Sequence, residues 1–357
     1  MKIEAVDLFC GVGGLTCGLR AAGVDVRAGY DIDTACAFPY EANNAAPFEC
    51  KSVDQVSGEE LAHWYSPGAV RLLAGCAPCQ PFSTLANTRD ETDEKKWGLL
   101  YEFARLVREL QPELVTMENV PRVANHAPYG EFVATLRELG YHVDARRVRC
   151  ADYGIPQERR RFVLVASRLG AIRLPAPHGT APITVRDAIG HLPALAAGET
   201  DPHDPLHKAR SLTPLNLERI RASSPGGTWE DWPLALRAPC HRAQSGASFR
   251  SVYARMEWGA PAPTITTQSH NFGTGRFGHP TQDRAISLRE ASILQSFPHD
   301  YRFVAEGQKI HFSSVGRMIG NAVPPKLGEL VGKTFIDHIG ALHEAGQCPT
   351  LLNSVSN

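Results

Sequence analysis

The most reactive side chains in the chain sit in one short loop, Gly75-Cys76-Ala77-Pro78-Cys79-Gln80-Pro81-Phe82-Ser83. Two cysteines spaced C-x-x-C admit a redox or a zinc reading. A zinc site of that kind needs a second ligand pair at similar spacing, and the remaining cysteines supply none. A thioredoxin-like site would open a helix at the motif. Here Pro78 and Pro81 stiffen the loop around Cys79 and keep that thiol out of a helix. Further on, Glu118-Asn119-Val120-Pro121 and Gln157-Glu158-Arg159-Arg160-Arg161 add a carboxylate and a run of guanidinium groups. Nearer the start lies Asp7-Leu-Phe-Cys-Gly11-Val-Gly13-Gly14-Leu15, where glycines let the backbone turn tightly and approach a ligand. The sixth position of its G-x-G-x-x-G frame is Thr16 rather than glycine, a poor match to a nicotinamide site. Asp31 falls where such folds place an acid against ribose hydroxyls. Taken alone, the loop suits any nucleotide-like cofactor, and a structural tight turn also accounts for it.

These groups need strands and helices to hold them. Short apolar runs at 3–8, 26–30, 70–74, 114–117, 142–149 and 162–166 read as strands, with amphipathic helices near 15–22, 99–110 and 131–139. That alternation predicts an α/β fold with a doubly wound, mostly parallel sheet and right-handed crossovers. In such a sheet ligands bind outside the carboxyl ends of the strands. The glycine loop, Cys79 and Glu118 all fall at such ends, and Arg161 can reach in from the adjoining edge. From about 170 to 280 the periodicity breaks and proline, glycine, histidine and arginine rise, as in the segments LPAPHGTAP and SSPGGTWEDWP. An irregular stretch of that length reads as a second, smaller domain with a function of its own. A helix near 288–295 and a final helix after Pro325 restore regular structure. The expected division is therefore 1–170, 171–280, 281–345 and a tail over 346–357.

Composition limits the partners. The 357 residues carry 43% hydrophobic and 21% charged side chains, and no run of about 18 apolar residues to cross a membrane. The first residues lack a secretory signal, and nine cysteines without framework spacing suit reduced thiols, so a cytoplasmic protein is expected. A net charge of −1 does not mark a nucleic-acid binder, although arginines gather at Arg146, Arg147, Arg149 and Arg159–Arg161 while acids concentrate over 90–94. A solvated face accounts for such a cluster equally well.

The order and wording of these motifs resemble the cytosine-5 DNA methyltransferase family of the bacterial restriction-modification type. The motifs read DLFCGVGG, GCAPCQPFS, ENV and QERRR, then Arg284 to Glu290 through Gln295-Ser-Phe297-Pro298, and Gly320-Asn321-Ala-Val-Pro-Pro325. Together they span 1–170 and 280–345. The proline–cysteine–glutamine loop is the most specific of them. One departure concerns the acid that usually follows the third strand to contact the cofactor's adenine. The matching position here is Ser52, so either Ser52 or Asp54 takes that role.

The resemblance implies a Rossmann-like fold that uses S-adenosylmethionine as methyl donor. It implies methylation of carbon 5 of a cytosine that is flipped out of duplex DNA and held as a covalent Cys79 adduct. It makes Cys79, Glu118, Arg159 and Arg161 catalytic, with Glu118 on ring nitrogen 3 and the exocyclic amine, and Arg161, backed by Arg159, on the ring carbonyl. It assigns the cofactor to Phe9, Gly11, Gly13, Gly14, Leu15, Asp31, Ile32, Ser52, Val53 and Asn321. Gln80, Ser83 and Arg89, in a polar segment expected to close as a lid over the DNA, would contact the substrate. The irregular region would read the target sequence, although each of its aromatics (Trp229, Trp232, Phe249, Tyr253, Phe272, Phe277) also suits a small-domain core. Arg284 and Glu290 read as structural, as an ion pair or a brace. A monomer is expected, with a cognate restriction endonuclease as a possible functional counterpart. The tRNA-methylating branch of the same family is the nearest alternative, followed by a nicotinamide-dependent oxidoreductase and a catalytically inactive DNA-binding relative.

Overall fold

A computed structural model describes residues 1–78, 92–177, 179–242 and 250–346. The chain forms two compact units. The first comprises Met1–Val148, Arg160–Pro177 and the chain from Val323 onward, and the second comprises Arg149–Arg159 with 178–322. Residues 281–322 pack within the second unit. The side chains give the reason: His207 Nδ1 lies 2.9 Å from Ser287 Oγ, Arg289 pairs with Asp204 at 2.6 Å, and Arg284 donates to the Leu195 carbonyl.

The first unit is built on seven strands: β1 (Ile3–Leu8), β2 (Asp25–Asp31), β3 (Phe48–Cys50), β4 (Val70–Gly75), β5 (Leu114–Asn119), β6 (His142–Arg149) and β7 (Arg160–Ser167). Their order is β3-β2-β1-β4-β5-β7-β6. The five strands from β3 to β5 pair in parallel, and β7 runs antiparallel to β5. Every residue of β1 and β5 is buried, as expected for central parallel strands covered on both faces. Helices α1 (Gly14–Ala21), α2 (Ala37–Asn44), α3 (Gly58–Ala62), α4 (Thr92–Leu110) and α5 (Ala127–Glu138) connect the strands. Val6, Leu8, Leu73, Phe103, Phe132 and Leu136 belong to the core on one face, with the Phe103 and Phe132 rings 5.1 Å apart.

The chain runs outward from β1 through β2 to β3, then returns to place β4 on the other side of β1. That reversal opens a crevice at the carboxyl ends of β1 and β4, the usual ligand position in an open α/β sheet. Because β7 is antiparallel to β5, its first residues lie at the same end as the last residues of β5.

The second unit has no multi-stranded sheet among its described residues. Its helices are α6 (Val185–Ile189), α7 (Pro214–Arg221), α8 (Pro239–Arg242), α9 (Leu288–Leu294) and α10 (Phe312–Asn321). Trp229, Trp232, Phe272 and Phe277 are buried, with Ile220, Trp229, Trp232 and Phe272 in one cluster, so these aromatics form core. Phe249 lies outside the described residues. Irregular backbone leaves carbonyls without a ladder partner, and buried arginines, each with five donors, satisfy them. Arg255 donates to the carbonyls of Ile220, Ser223, His279 and Gln282. Fully buried Arg284 makes two 2.7 Å bonds to Glu290, which also completes a capping box with Ser287 at the start of α9.

The last helix among the described residues, α11 (Pro325–Glu344), belongs to the first unit and packs against α1. Pro324 stands at its N-cap position without a side-chain capping hydrogen bond, and Pro325 occupies its first turn, where a missing N–H costs nothing. The approach is close enough that a Cβ on Gly18 would stand 2.0 Å from the Pro325 carbonyl oxygen.

Candidate active site

The chemistry of the first unit gathers at the ends of β4, β5 and β7. In the β5–β7 ladder Glu118 pairs with Val163, so Arg161, two residues before Val163, projects from the same face. Its Nε stands 2.6 Å from Glu118 Oε1, and both side chains are mostly buried, at 12% and 7% exposed. In the parallel β4–β5 ladder Gly75 pairs with Met117, which brings Cys76 beside Glu118 one step further. The Cys76 thiol donates to Glu118 Oε2 at 3.0 Å. The neighbouring Asn119 turns its amide to the Ala77 carbonyl at 3.1 Å, tying down the chain two residues before Cys79. Cys79, Gln80, Ser83 and Arg89 lie outside the described residues.

The glycine loop follows β1 directly. Phe9, Gly11 and Gly13 all adopt left-handed backbone, with φ of 58°, 51° and 85°. Gly13 has a second constraint, since a Cβ there would meet Asn44 Nδ2 at 2.3 Å. At Gly11 the space is open, with no atom within 4 Å of a Cβ position. Asp31, at the end of β2, accepts from the Gly11 amide and the Asp33 amide, each at 2.9 Å. Its carboxylate therefore shapes the loop, a task sequence reading did not give it. Below the loop the buried Asp7 carboxylate accepts from Thr16 Oγ1 at 2.7 Å. Burial, with Asp31 nearby, pushes the Asp7 carboxyl up to about 7.

Other expected cofactor residues divide by exposure. Gly14 and Leu15 open α1 and are buried, Val53 is buried, and Ser52 is half-buried at the cap of a short turn. Ile32, immediately after Asp31, is 70% exposed, an apolar surface at the sheet end. Asp54 is exposed. Asn321 is exposed at the end of α10, in the second unit. Open backbone at Gly11, an acid at the end of β2 and an apolar side chain beside it fit an adenosine-bearing cofactor in the crevice.

Arg159 takes a different place from Arg161. It is 3% exposed, and its guanidinium donates to the carbonyls of Ile265, Gly320 and Ala322 at 3.0 to 3.3 Å. Gln157 joins this network, receiving the Ile265 amide at 2.8 Å and donating to Gln295 Oε1 at 2.6 Å. Gln295 continues it to the carbonyls of Ile319 and Ala322. Three of the sequence motifs are thus stitched together within the second unit.

Sheet order and crevice define the Rossmann-like fold of S-adenosylmethionine-dependent methyltransferases. The family model for C-5 cytosine-specific DNA methylase matches residues 3–337, and the chain belongs to that family, as a DNA (cytosine-5-)-methyltransferase. It is 49% identical over 344 residues to the Type II methylase M.HgiDII of Herpetosiphon aurantiacus, covering 95% of this chain and 96% of that one. It is 32% identical to the Type II methyltransferase M.XorII of Xanthomonas oryzae pv. oryzae, over 92% and 83% of the two chains. Among solved structures it resembles a candidate DNA modification methyltransferase encoded within an Escherichia coli prophage, with TM-score 0.73 at 23% identity over 94% and 99% of the chains.

Proposed function

We propose that the protein methylates carbon 5 of one cytosine within a specific duplex DNA sequence, through a covalent Cys79 adduct on a flipped base. The observation that carries this reading is the Arg161–Glu118 pair at 2.6 Å, set beside the entry to the Cys79 loop. Carbon 5 of cytosine is a weak nucleophile. Attack of the Cys79 thiolate on carbon 6 breaks the ring's 5,6 double bond and moves its electron pair to carbon 5 as an enamine. Glu118 holds ring nitrogen 3 and the exocyclic amine, and manages the proton there as charge shifts. Arg161 holds both Glu118 and the ring carbonyl oxygen. Arg159, committed to main-chain carbonyls, acts as a positioning residue rather than as a ligand of the base.

S-adenosylmethionine, when bound, supplies the electrophilic methyl group. Phe9, Gly11, Gly13, Gly14, Leu15, Asp31, Ile32, Ser52, Val53 and Asn321 are the residues proposed to hold it. Loss of the carbon 5 proton then restores the double bond and expels Cys79. Extruding the base costs a few kcal/mol, which contacts to DNA must supply. Gln80, Ser83 and Arg89 are proposed for that contact. The region 171–280 is proposed to read the target, by analogy with the Type II relatives. We place the enzyme in the cytoplasm as a monomer, matched to a restriction endonuclease of the same site.

The decisive experiment is transfer of labelled methyl groups from S-adenosylmethionine to unmethylated duplex DNA, with tRNA in parallel, followed by nucleoside analysis. Label in 5-methyldeoxycytidine is expected. Label confined to tRNA would move the protein to the RNA-methylating branch.

A further inference from the structure

Glu118 is approached from two sides, and only one of the two neighbours, Arg161, has been given a part in the reaction. Arg161 Nε stands 2.6 Å from Oε1 as an ion pair, while the Cys76 thiol donates a hydrogen bond to Oε2 at 3.0 Å. The register of β4 against β5 makes the second contact unavoidable. Gly75 pairs with Met117, so the next residue on each strand meets its neighbour. The outer torsion of a glutamate is broad, and a carboxylate held at one oxygen can rotate about it. A second donor on the other oxygen removes that freedom. Glu118 is 5% exposed, so little water is available to do the same work.

We propose that Cys76 is a positioning residue for methyl transfer, its thiol fixing the plane of the Glu118 carboxylate against Arg161. A thiol suits the place because it is a weak donor. It orients the oxygen without competing strongly with an incoming N–H of the substrate, and each carboxylate oxygen keeps a lone pair for that N–H. Cys76 therefore has a task distinct from that of Cys79. One is a hydrogen-bond donor to a carboxylate and the other a nucleophile. The inference rests on the reading that Glu118 grips the base.

Three variants test it in the full-length protein, with kcat, KM for DNA and KM for S-adenosylmethionine measured together with the melting temperature. Cys76→Ala removes the donor, Cys76→Val removes it while keeping the volume, and Cys76→Ser keeps a donor. Loss of one orienting hydrogen bond predicts a fall in kcat of about 5- to 10-fold for Ala and Val alike, with KM for S-adenosylmethionine unchanged. Cys76→Ser should return to within about twofold of wild type. An unchanged kcat in Ala and Val overturns the proposal, as does an equal loss in Ser, which would mean simple packing. Glu118→Gln serves as the reference and should lose about 100-fold or more. In that background Cys76→Ala should add nothing, since the paired effect has already gone. Full turnover in Glu118→Gln would instead overturn the role of Glu118 itself, a result separable from failure at Cys76.

Discussion

A carboxylate clamped by a guanidinium cannot by itself form a bond to a pyrimidine ring. The reaction needs the electron pair of Cys79. Cys79→Ala is therefore expected to reduce labelled-methyl transfer below detection while leaving duplex DNA binding within a few-fold of wild type. Retained turnover would remove the covalent step from the mechanism. A second prediction concerns Asp7, whose folded-state carboxyl sits at about 7 through burial. An unfolded aspartate titrates near 3.9, so between about pH 4 and pH 7 the folded protein holds a proton that the unfolded chain has lost. Stability from this group therefore falls as pH rises through that window and levels off above it, by roughly 4 kcal/mol in all. Asp7→Asn keeps an acceptor for Thr16 and removes the titration. Melting temperatures of both proteins at pH 5 and pH 8, without cofactor, should show the variant gaining on wild type at the higher pH. A difference independent of pH would disprove it.

At the scale of the element, the glycines of the α1–α11 contact make the sharpest prediction. Gly18→Ala puts a methyl group into the backbone of α11, and neither helix can yield locally, so a loss of about 1–3 kcal/mol is expected. Gly340→Ala, in the same helix but with open space around it, should instead gain about 0.5–1 kcal/mol from reduced chain entropy. Thermal denaturation of the two variants side by side checks the sign of each. The elements differ in how far they could be read in advance. β1 and the edge strand β6 fall on the expected residues, and β2, β4, β5 and β7 differ by one to three residues. The buried apolar runs of β1, β4, β5 and β7 leave little choice of structure, whereas β6 is mostly polar and partly buried. β3 carries no pattern that delimits a strand, since two of its three residues are half-buried and the third is exposed. α4 begins at Thr92, seven residues before its apolar periodicity, because its first turns are polar. Contact between Cys76 and Glu118 depends on the stagger between two strands far apart in sequence. No local pattern encodes that stagger.

The whole molecule divides its labour between a unit held by strand ladders and one held largely by side chains bonded to the main chain. Arg159, Arg255 and Arg284 do in the second unit what strand pairing does in the first. Arginine content by itself therefore does not count surface charge, since Arg159, Arg255 and Arg284 face inward to carbonyls. A backbone held by side chains also tolerates changes of length and path. Replacing 171–280 with the corresponding stretch of a Type II relative is therefore expected to change the methylated sequence while leaving the product 5-methylcytosine. Bisulfite sequencing of a plasmid exposed to each protein would read this out, and an unchanged target site would place recognition elsewhere in the chain.

The α1–α11 contact has a consequence for the birth of the protein. On the ribosome α1 emerges roughly 300 residues before α11, a delay on the order of tens of seconds at about 5–20 residues per second. Through that interval the glycine-lined face of α1 has nothing to rest on, and the catalytic unit cannot close. Completion of the catalytic unit waits for α11. A nascent chain stalled before Pro325 would hold Cys79, Glu118 and Arg161 and still lack the helix on which α1 rests.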